Sequence, residues 1–262
     1  MNKLNGRHVL ITGASSGIGR ALAFSLAKQG AIPILVARTE SKLMELKTEI
    51  ENRYAVHPIV YAVDITDYPK WQQTIERIID EAGKIDILIN NAGIGYFDMF
   101  EQANWQTIEN MVNLNLNAMF LTTSRLLPTL LTQQQAHIIN IGSQAGKMAT
   151  PKSAVYSATK AGVISYSNAL RMELQGRVFV TSVNIGPVKT AFFETADPEG
   201  TYQKSVERYM LEPMNVANKV TKVIFTNKRE INLPYWMHVG SKIYQSFPRT
   251  MEKLLGPAFK KK

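Results

Sequence analysis

The stretch that most constrains the fold lies near the start. A short apolar run, His8-Val-Leu-Ile-Thr12, leads into Gly13-Ala-Ser-Ser-Gly17-Ile-Gly19, then into an amphipathic run from Arg20 to Lys28 that ends near Gly30. A buried strand, a glycine-rich turn and a helix in this order form the front half of a dinucleotide-binding unit. Gly13 permits a tight turn, Gly17 lets backbone approach a pyrophosphate, and Gly19 allows close helix–strand packing. Ser15, Ser16 and Ile18 fall where a helix N-terminus offers free N–H donors and a positive dipole end to an anion. The spacing is G-x-x-x-G-x-G, not G-x-G-x-x-G, and the Gly-Lys-Ser/Thr ending of an ATP-binding loop is missing. The plain alternative is a glycine-rich turn with no ligand.

The remaining chain repeats this alternation. Apolar runs at 8–12, 32–37, 57–62, 85–90, 136–141, 178–184 and 229–233 predict strands. Helices are expected over 17–29, 40–53, 68–82, 105–132, 154–175 and 214–226. Such alternation predicts a mostly parallel sheet of about seven strands with helices on both faces, in one domain spanning 1–262. Ligands of such sheets bind outside the carboxyl ends of the strands. Gly13, Asn90, Ser143 and Gly186 each follow a predicted strand end. The stretch 191–212 breaks the alternation. Its Phe192, Phe193, Tyr202, Met210 and Leu211 are suited to line a pocket for a nonpolar substrate.

Within the 154–175 helix, Tyr156 and Lys160 stand four residues apart and share a face. A phenol ordinarily titrates near pH ~10, too high for efficient proton transfer at neutral pH, and a nearby cation lowers that value. The pair therefore reads as a tunable proton donor and acceptor. On its own, Tyr-x-x-x-Lys is more often half-exposed helix surface.

Taken together these residues resemble the short-chain dehydrogenase/reductase family over roughly residues 6–235. Thr12 to Gly19 looks like its cofactor turn, and Asn90-Asn91-Ala92-Gly93 like its motif after the fourth strand. Asn115, Ser143, Tyr156 and Lys160 match its catalytic tetrad in order and spacing. The segment Asn184 to Thr190, with Gly186, Val188 and Thr190, resembles the part that closes over the nicotinamide, and 191–212 its substrate-binding insertion. One departure is Ile185-Gly186 where the family usually has Pro-Gly. The resemblance implies a three-layer, doubly wound α/β Rossmann fold and hydride transfer between a nicotinamide and a carbonyl or secondary alcohol. Tyr156 is the implied proton donor and acceptor. Ser143 orients the substrate oxygen, Lys160 lowers the Tyr156 pKa and holds the nicotinamide ribose, and Asn115 holds a water. For Ser143 the plain alternative is a strand-end cap; for Asn115, a buried amide bonded to backbone.

The cofactor form is read from the end of the second strand. An acid there would bind a ribose 2′-hydroxyl and repel a 2′-phosphate. Arg38 instead offers a charged planar fork, so NADP is expected ahead of NAD, which stays possible. Glu40 is the counter-evidence, read as first-turn acid of the next helix. Asp64, after the third strand, looks like the residue that contacts adenine, with a turn acid as the alternative, and Ile65 beside it is expected to bind the cofactor.

Composition limits the other classes. The chain has no cysteine, which fits a reducing cytoplasm and excludes thiolate zinc sites and cysteine nucleophiles. Met1 to His8 holds no signal-peptide core, no uncharged apolar run is long enough to span a bilayer, and four scattered histidines form no metal-like cluster. The net charge of +9 is uneven: residues 213–262 carry ten Lys and Arg against Glu230 and Glu252. Residues 238–255 predict one amphipathic helix with Ile243, Phe247, Met251, Leu254 and Leu255 on a stripe. It suits packing on the domain or on another subunit, or contact with a membrane surface as part of a basic extension over 236–262. Nucleic-acid binding is not expected. The family analogy suggests a homo-oligomer acting on a small carbonyl or alcohol. The alternatives are a 3-oxoacyl thioester reductase and a non-catalytic nucleotide-binding protein on the same fold.

Overall fold

The structure is a computed structural model that describes residues 3–259. Seven strands form one sheet: β1 (His8–Thr12), β2 (Ile32–Ala37), β3 (Ile59–Ala62), β4 (Ile87–Asn90), β5 (His137–Ser143), β6 (Phe179–Ile185) and β7 (Glu230–Leu233). Their order is β3-β2-β1-β4-β5-β6-β7. Every pair is parallel, so the expected mostly parallel sheet is parallel throughout. Strands such as Ile87-Leu-Ile-Asn90 are buried along their length, because helices cover both faces.

The helices are α1 (Gly17–Ala27), α2 (Glu40–Arg53), α3 (Tyr68–Ala82), α4 (Trp105–Val112), α5 (Ala118–Leu131), α6 (Ala154–Glu173), α7 (Phe192–Ala196), α8 (Thr201–Val206), α9 (Pro213–Val223), α10 (Tyr235–Ser246) and α11 (Pro248–Phe259). One core packs Leu22 and Leu26 of α1, Leu43 and Leu46 of α2 and Val216 and Val220 of α9 against the sheet. The other packs Trp71 and Ile75 of α3, Leu126 and Leu130 of α5 and Leu170 of α6 against the opposite face. These are the three layers of a doubly wound fold.

Two helices differ from expectation. The long run over 105–132 contains a π-helical turn at Asn113–Asn117 between α4 and α5. The amphipathic run over 238–255 is two helices, α10 and α11, because Phe247 precedes Pro248 and leaves the helical region at φ −134° and ψ 59°. A proline disfavours helical backbone in the residue before it. The Leu255 side chain and Lys260 to Lys262 lie outside the described residues.

The order of strands reverses direction between β1 and β4, and the crevice lies at their carboxyl ends. Side chains staple those ends together. Thr12 Oγ1 accepts from the N–H groups of Asn91 and Ala92, both at 3.1 Å. The Asn91 amide donates back to the carbonyls of Thr12 and Gly13 at 2.9 and 3.1 Å. Asn90 points away from the crevice and donates to Asn140 Oδ1 at 2.8 Å and Thr123 Oγ1 at 3.1 Å, tying β4 to β5 and α5.

Candidate active site

Two cavities, each of about 610 Å3, adjoin at this edge and share Ile18, Asn91, Gly93, Thr190 and Phe192 as walls. The first is a polar groove that runs from Gly13, Ser15, Ser16 and Gly17 to Arg38, Asp64 and Ile65. A Cβ on Gly19 would lie 2.1 Å from the Gly13 carbonyl oxygen, and one on Gly13 would lie 2.9 Å from the Ala92 Cα. Only glycine lets the turn fold this tightly beneath the helix.

The groove's chemistry fits a dinucleotide. Ser16 is the N-cap of α1, yet its side chain bonds none of the helix's first N–H groups, and no acid lies in the first turn. Those donors and the dipole's positive end are left for an anion. Arg38 and Lys42 line the far end. Glu40 is exposed, begins α2 and does not line the groove, as the first-turn reading requires. Asp64 lines the groove and also accepts from Thr66 N and Oγ1 at 2.9 and 2.7 Å. Turn acid and groove wall are thus the same residue.

The second cavity is mostly apolar and takes Ser143, Tyr156, Lys160, Gly186, Val188 and Thr190 as part of its lining. Ser143 ends β5, and its Oγ accepts from Ala145 N at 3.1 Å and donates to the Ile185 carbonyl at 3.3 Å. It caps the strand end and stands beside the Tyr156 phenol, where it favours the phenolate. Tyr156 lies in the first turn of α6, where the helix dipole favours a phenolate. Lys160 follows one turn later, with Nζ donating to the Ile141 carbonyl at 3.0 Å.

Burial pushes the Tyr156 phenol up to about 12, and the nearby Ser143 side chain opposes that rise. The Lys160 ammonium lies 5.9 Å from the centre of the Tyr156 ring. Burial also lowers the Lys160 amine to about 8.

Asn115 lines neither cavity. Its Oδ1 accepts from Ile94 N at 2.9 Å, and its Nδ2 donates to the Ile94 carbonyl at 2.9 Å and Thr159 Oγ1 at 3.0 Å. Both amide hydrogens are thus engaged, as the backbone-bonded alternative predicts. A Cβ built on Gly93 would meet both Asn115 Oδ1 at 3.1 Å and Lys160 Nζ at 3.3 Å, so the amide packs beside the ammonium across a bare glycine.

The Ile185-Gly186 departure keeps the loop in place. Ile185 continues β6 in register with Ser143 and Leu233. A Cβ on Gly186 would meet Met237 Sδ at 2.7 Å and Pro234 Cδ at 3.0 Å, so the glycine is the part of the motif that packing demands.

Several residues of the site were not singled out in the sequence. Lys42 lies in the first turn of α2, four residues past Arg38, and that closeness in sequence could have flagged it. Phe97, from the loop after β4, has its ring 5.7 Å from Tyr156, 6.2 Å from Phe192 and 5.3 Å from Tyr202. It has no local signal, because its partners come from other loops. Trp236 and Met237 bring α10 to the same cavity, where Met251 of the expected apolar stripe brings α11.

Comparison with known proteins points to one family. The family model described as short chain dehydrogenase matches residues 7–200. An NADP-dependent 3-hydroxy acid dehydrogenase of Schizosaccharomyces pombe is 32% identical over 237 residues, covering 89% of this chain and 91% of that protein. A 3-oxoacyl-(acyl-carrier-protein) reductase of Thermotoga maritima is 31% identical over 224 residues, covering 85% and 90%. The crystal structure of a 3-ketoacyl-(acyl-carrier-protein) reductase of Brucella melitensis complexed with NADH superposes with a TM-score of 0.79 at 27% identity, covering 88% of this chain and 98% of that one.

Proposed function

The chain belongs to the short-chain dehydrogenase family and is an NAD(P)-dependent oxidoreductase; from that premise we propose that it uses NADPH to reduce the carbonyl of a neutral, largely apolar compound at Tyr156. The observation that carries this reading is the lining of the second cavity. Ser143, Tyr156 and Lys160 share it with Phe97, Phe192 and Tyr202, and Lys160 is the one charged side chain among its lining residues. A substrate carboxylate or phosphate buried there would find no arginine or second lysine to compensate its desolvation.

The chemistry that NADPH would supply, when held in the polar groove, is a hydride for the carbonyl carbon. Tyr156 donates its proton to the carbonyl oxygen as negative charge builds there. The Ser143 hydroxyl hydrogen-bonds the same oxygen and orients it. Lys160 would hold the nicotinamide ribose hydroxyls, and its charge favours the phenolate left behind. Asn115 is a positioning residue that anchors Ile94 beside Lys160. Ser15, Ser16 and the α1 N-terminus would hold the pyrophosphate, with Ile18, Asn91, Ala92, Gly93, Val188 and Thr190 enclosing the cofactor. Arg38, helped by Lys42, would hold a 2′-phosphate and favour NADP over NAD.

A second reading, reduction of a 3-oxoacyl thioester, is favoured by similarity to the Thermotoga maritima 3-oxoacyl-(acyl-carrier-protein) reductase and by a neutral thioester's fit to the same cavity. A screen of NADPH oxidation against neutral ketones, 3-oxoacyl thioesters and free 3-oxo acids tests both. The account predicts turnover of neutral ketones or thioesters well above free acids. Preference for the free acid would contradict it.

A further inference from the structure

The row Tyr235, Val239 and Ile243 on α10 has a four-residue period, so it lies along one face of the helix, and Phe247 follows at its C-cap. All four are exposed, Tyr235 by 71% and Phe247 by 64%. Trp236 beside them is 55% exposed, and Leu254 of α11 70%. Ser241 and Met237 turn the other way, into the body of the protein and the Tyr156 cavity. The helix therefore buries a narrow polar and methionine side and leaves its larger apolar side uncovered, the reverse of an ordinary surface helix.

Two further observations say what covers this face. Trp236 both lines the cavity and stands on the exposed face, and its ring packs 5.5 Å from Tyr209, which also lines the cavity and is 39% exposed. The apolar face is thus continuous with the cavity rim. The charge around it is positive: Lys242, Arg249 and Lys253 border it on these helices, and the Glu252 carboxylate is engaged by the Tyr244 hydroxyl at 2.9 Å. Residues 213–262 carry +8 of the chain's +9. A second copy docking through the same face in two-fold symmetry would bring two such positive surfaces together. An anionic bilayer offers both the apolar depth for Trp, Tyr and Phe and the opposite charge for the lysines and arginines.

We propose that the exposed face of α10, with the start of α11, docks on an anionic phospholipid bilayer and turns the mouth of the Tyr156 cavity toward it. Delivery of a lipid-soluble substrate through that contact rests on the carbonyl-reductase reading; the docking does not. No described helix is long and apolar enough to cross a membrane, so the contact is peripheral.

The test is flotation of the full-length protein with vesicles of phosphatidylcholine alone and of phosphatidylcholine with phosphatidylglycerol. The wild type should float with the anionic vesicles, with binding reduced roughly tenfold or more on neutral vesicles or in high salt. The double variant Ile243→Asp, Phe247→Asp should lose anionic-vesicle binding by about the same factor, as charge is set in the apolar face. Neither residue lines the cavity, so reduction of a water-soluble ketone should be unchanged, with circular dichroism confirming the fold. Flotation reads docking without turnover, so a catalytically inert protein that still binds would defeat only the reductase reading. The proposal is overturned by a wild type that fails to float, by equal binding to both vesicles, or by a folded double variant that floats like the wild type. A wild type that stays off vesicles but loses a subunit contact when these residues are changed would assign the face to a second copy.

Discussion

Lys160 Nζ lies 5.9 Å from the centre of the Tyr156 ring, one turn along α6, and both side chains are buried. The same burial moves their protonation in opposite directions. The phenol rises to about 12 and the amine falls to about 8. Each shift disfavours a charge that the proposed chemistry needs, a phenolate in one residue and an ammonium in the other.

The amine shift has a signature in stability. Between about pH 8 and 10.5 the folded Lys160 is deprotonated while the unfolded chain still holds the proton, so stability from this group rises with pH across that window. Below about pH 8 the desolvation cost is complete. Lys160→Met should therefore gain on wild type at neutral pH by an amount on the order of 3 kcal/mol at most, and the gap should close as pH approaches 10. The Tyr156 phenol acts in both proteins and largely cancels in the difference. Urea midpoints of the two proteins across this range check it, and a pH-independent difference would refute the shift.

Arg38→Asp should weaken NADPH binding by roughly tenfold to a hundredfold and improve NADH, because a charge-assisted contact is exchanged for repulsion. Lys42→Ala should cause a smaller loss for NADPH and none for NADH. Dissociation constants for both coenzymes, measured by fluorescence, decide it. Unchanged selectivity in both variants would move the discriminator elsewhere.

Gly19→Ala should cost about 1–3 kcal/mol of stability or open the turn, since its Cβ would lie 2.1 Å from the Gly13 carbonyl oxygen, which is backbone and cannot swing aside. Thermal melting and NADPH titration together should show loss in both. A variant that melts and binds like wild type would mean that the turn is looser than described.

Asn115→Ala leaves the Ile94 N–H and carbonyl without their partner and should destabilise the fold by roughly 2–3 kcal/mol. Because the amide acts by positioning, the loss of kcat should exceed any loss of NADPH affinity. A variant with normal stability and normal kcat would remove Asn115 from the account.

Much of this was legible in sequence because it is local. Each apolar run that became a strand is short and bounded, and Gly13, Ser143 and Gly186 sit at or next to strand ends that parallel pairing brings to one edge. The illegible parts depend on partners distant in sequence. The π-turn sits where Asn115 reaches Ile94 and Thr159, which no periodicity reveals. Phe97 meets Tyr156, Phe192 and Tyr202 only once three separate loops have converged. The Tyr156 phenol could be paired with Lys160 by spacing, but its direction of shift depends on burial, which spacing does not contain. The break at Phe247-Pro248 is the exception: its proline was visible and outweighs the helical period on either side.

The most direct test is Tyr156→Phe, followed by NADPH fluorescence titration and steady-state turnover of a neutral ketone. Loss of the transferable proton should lower kcat by roughly a hundredfold to ten-thousandfold while the NADPH dissociation constant stays within about twofold of wild type. Near-normal turnover with the phenylalanine in place would contradict the assignment of the phenol as proton donor.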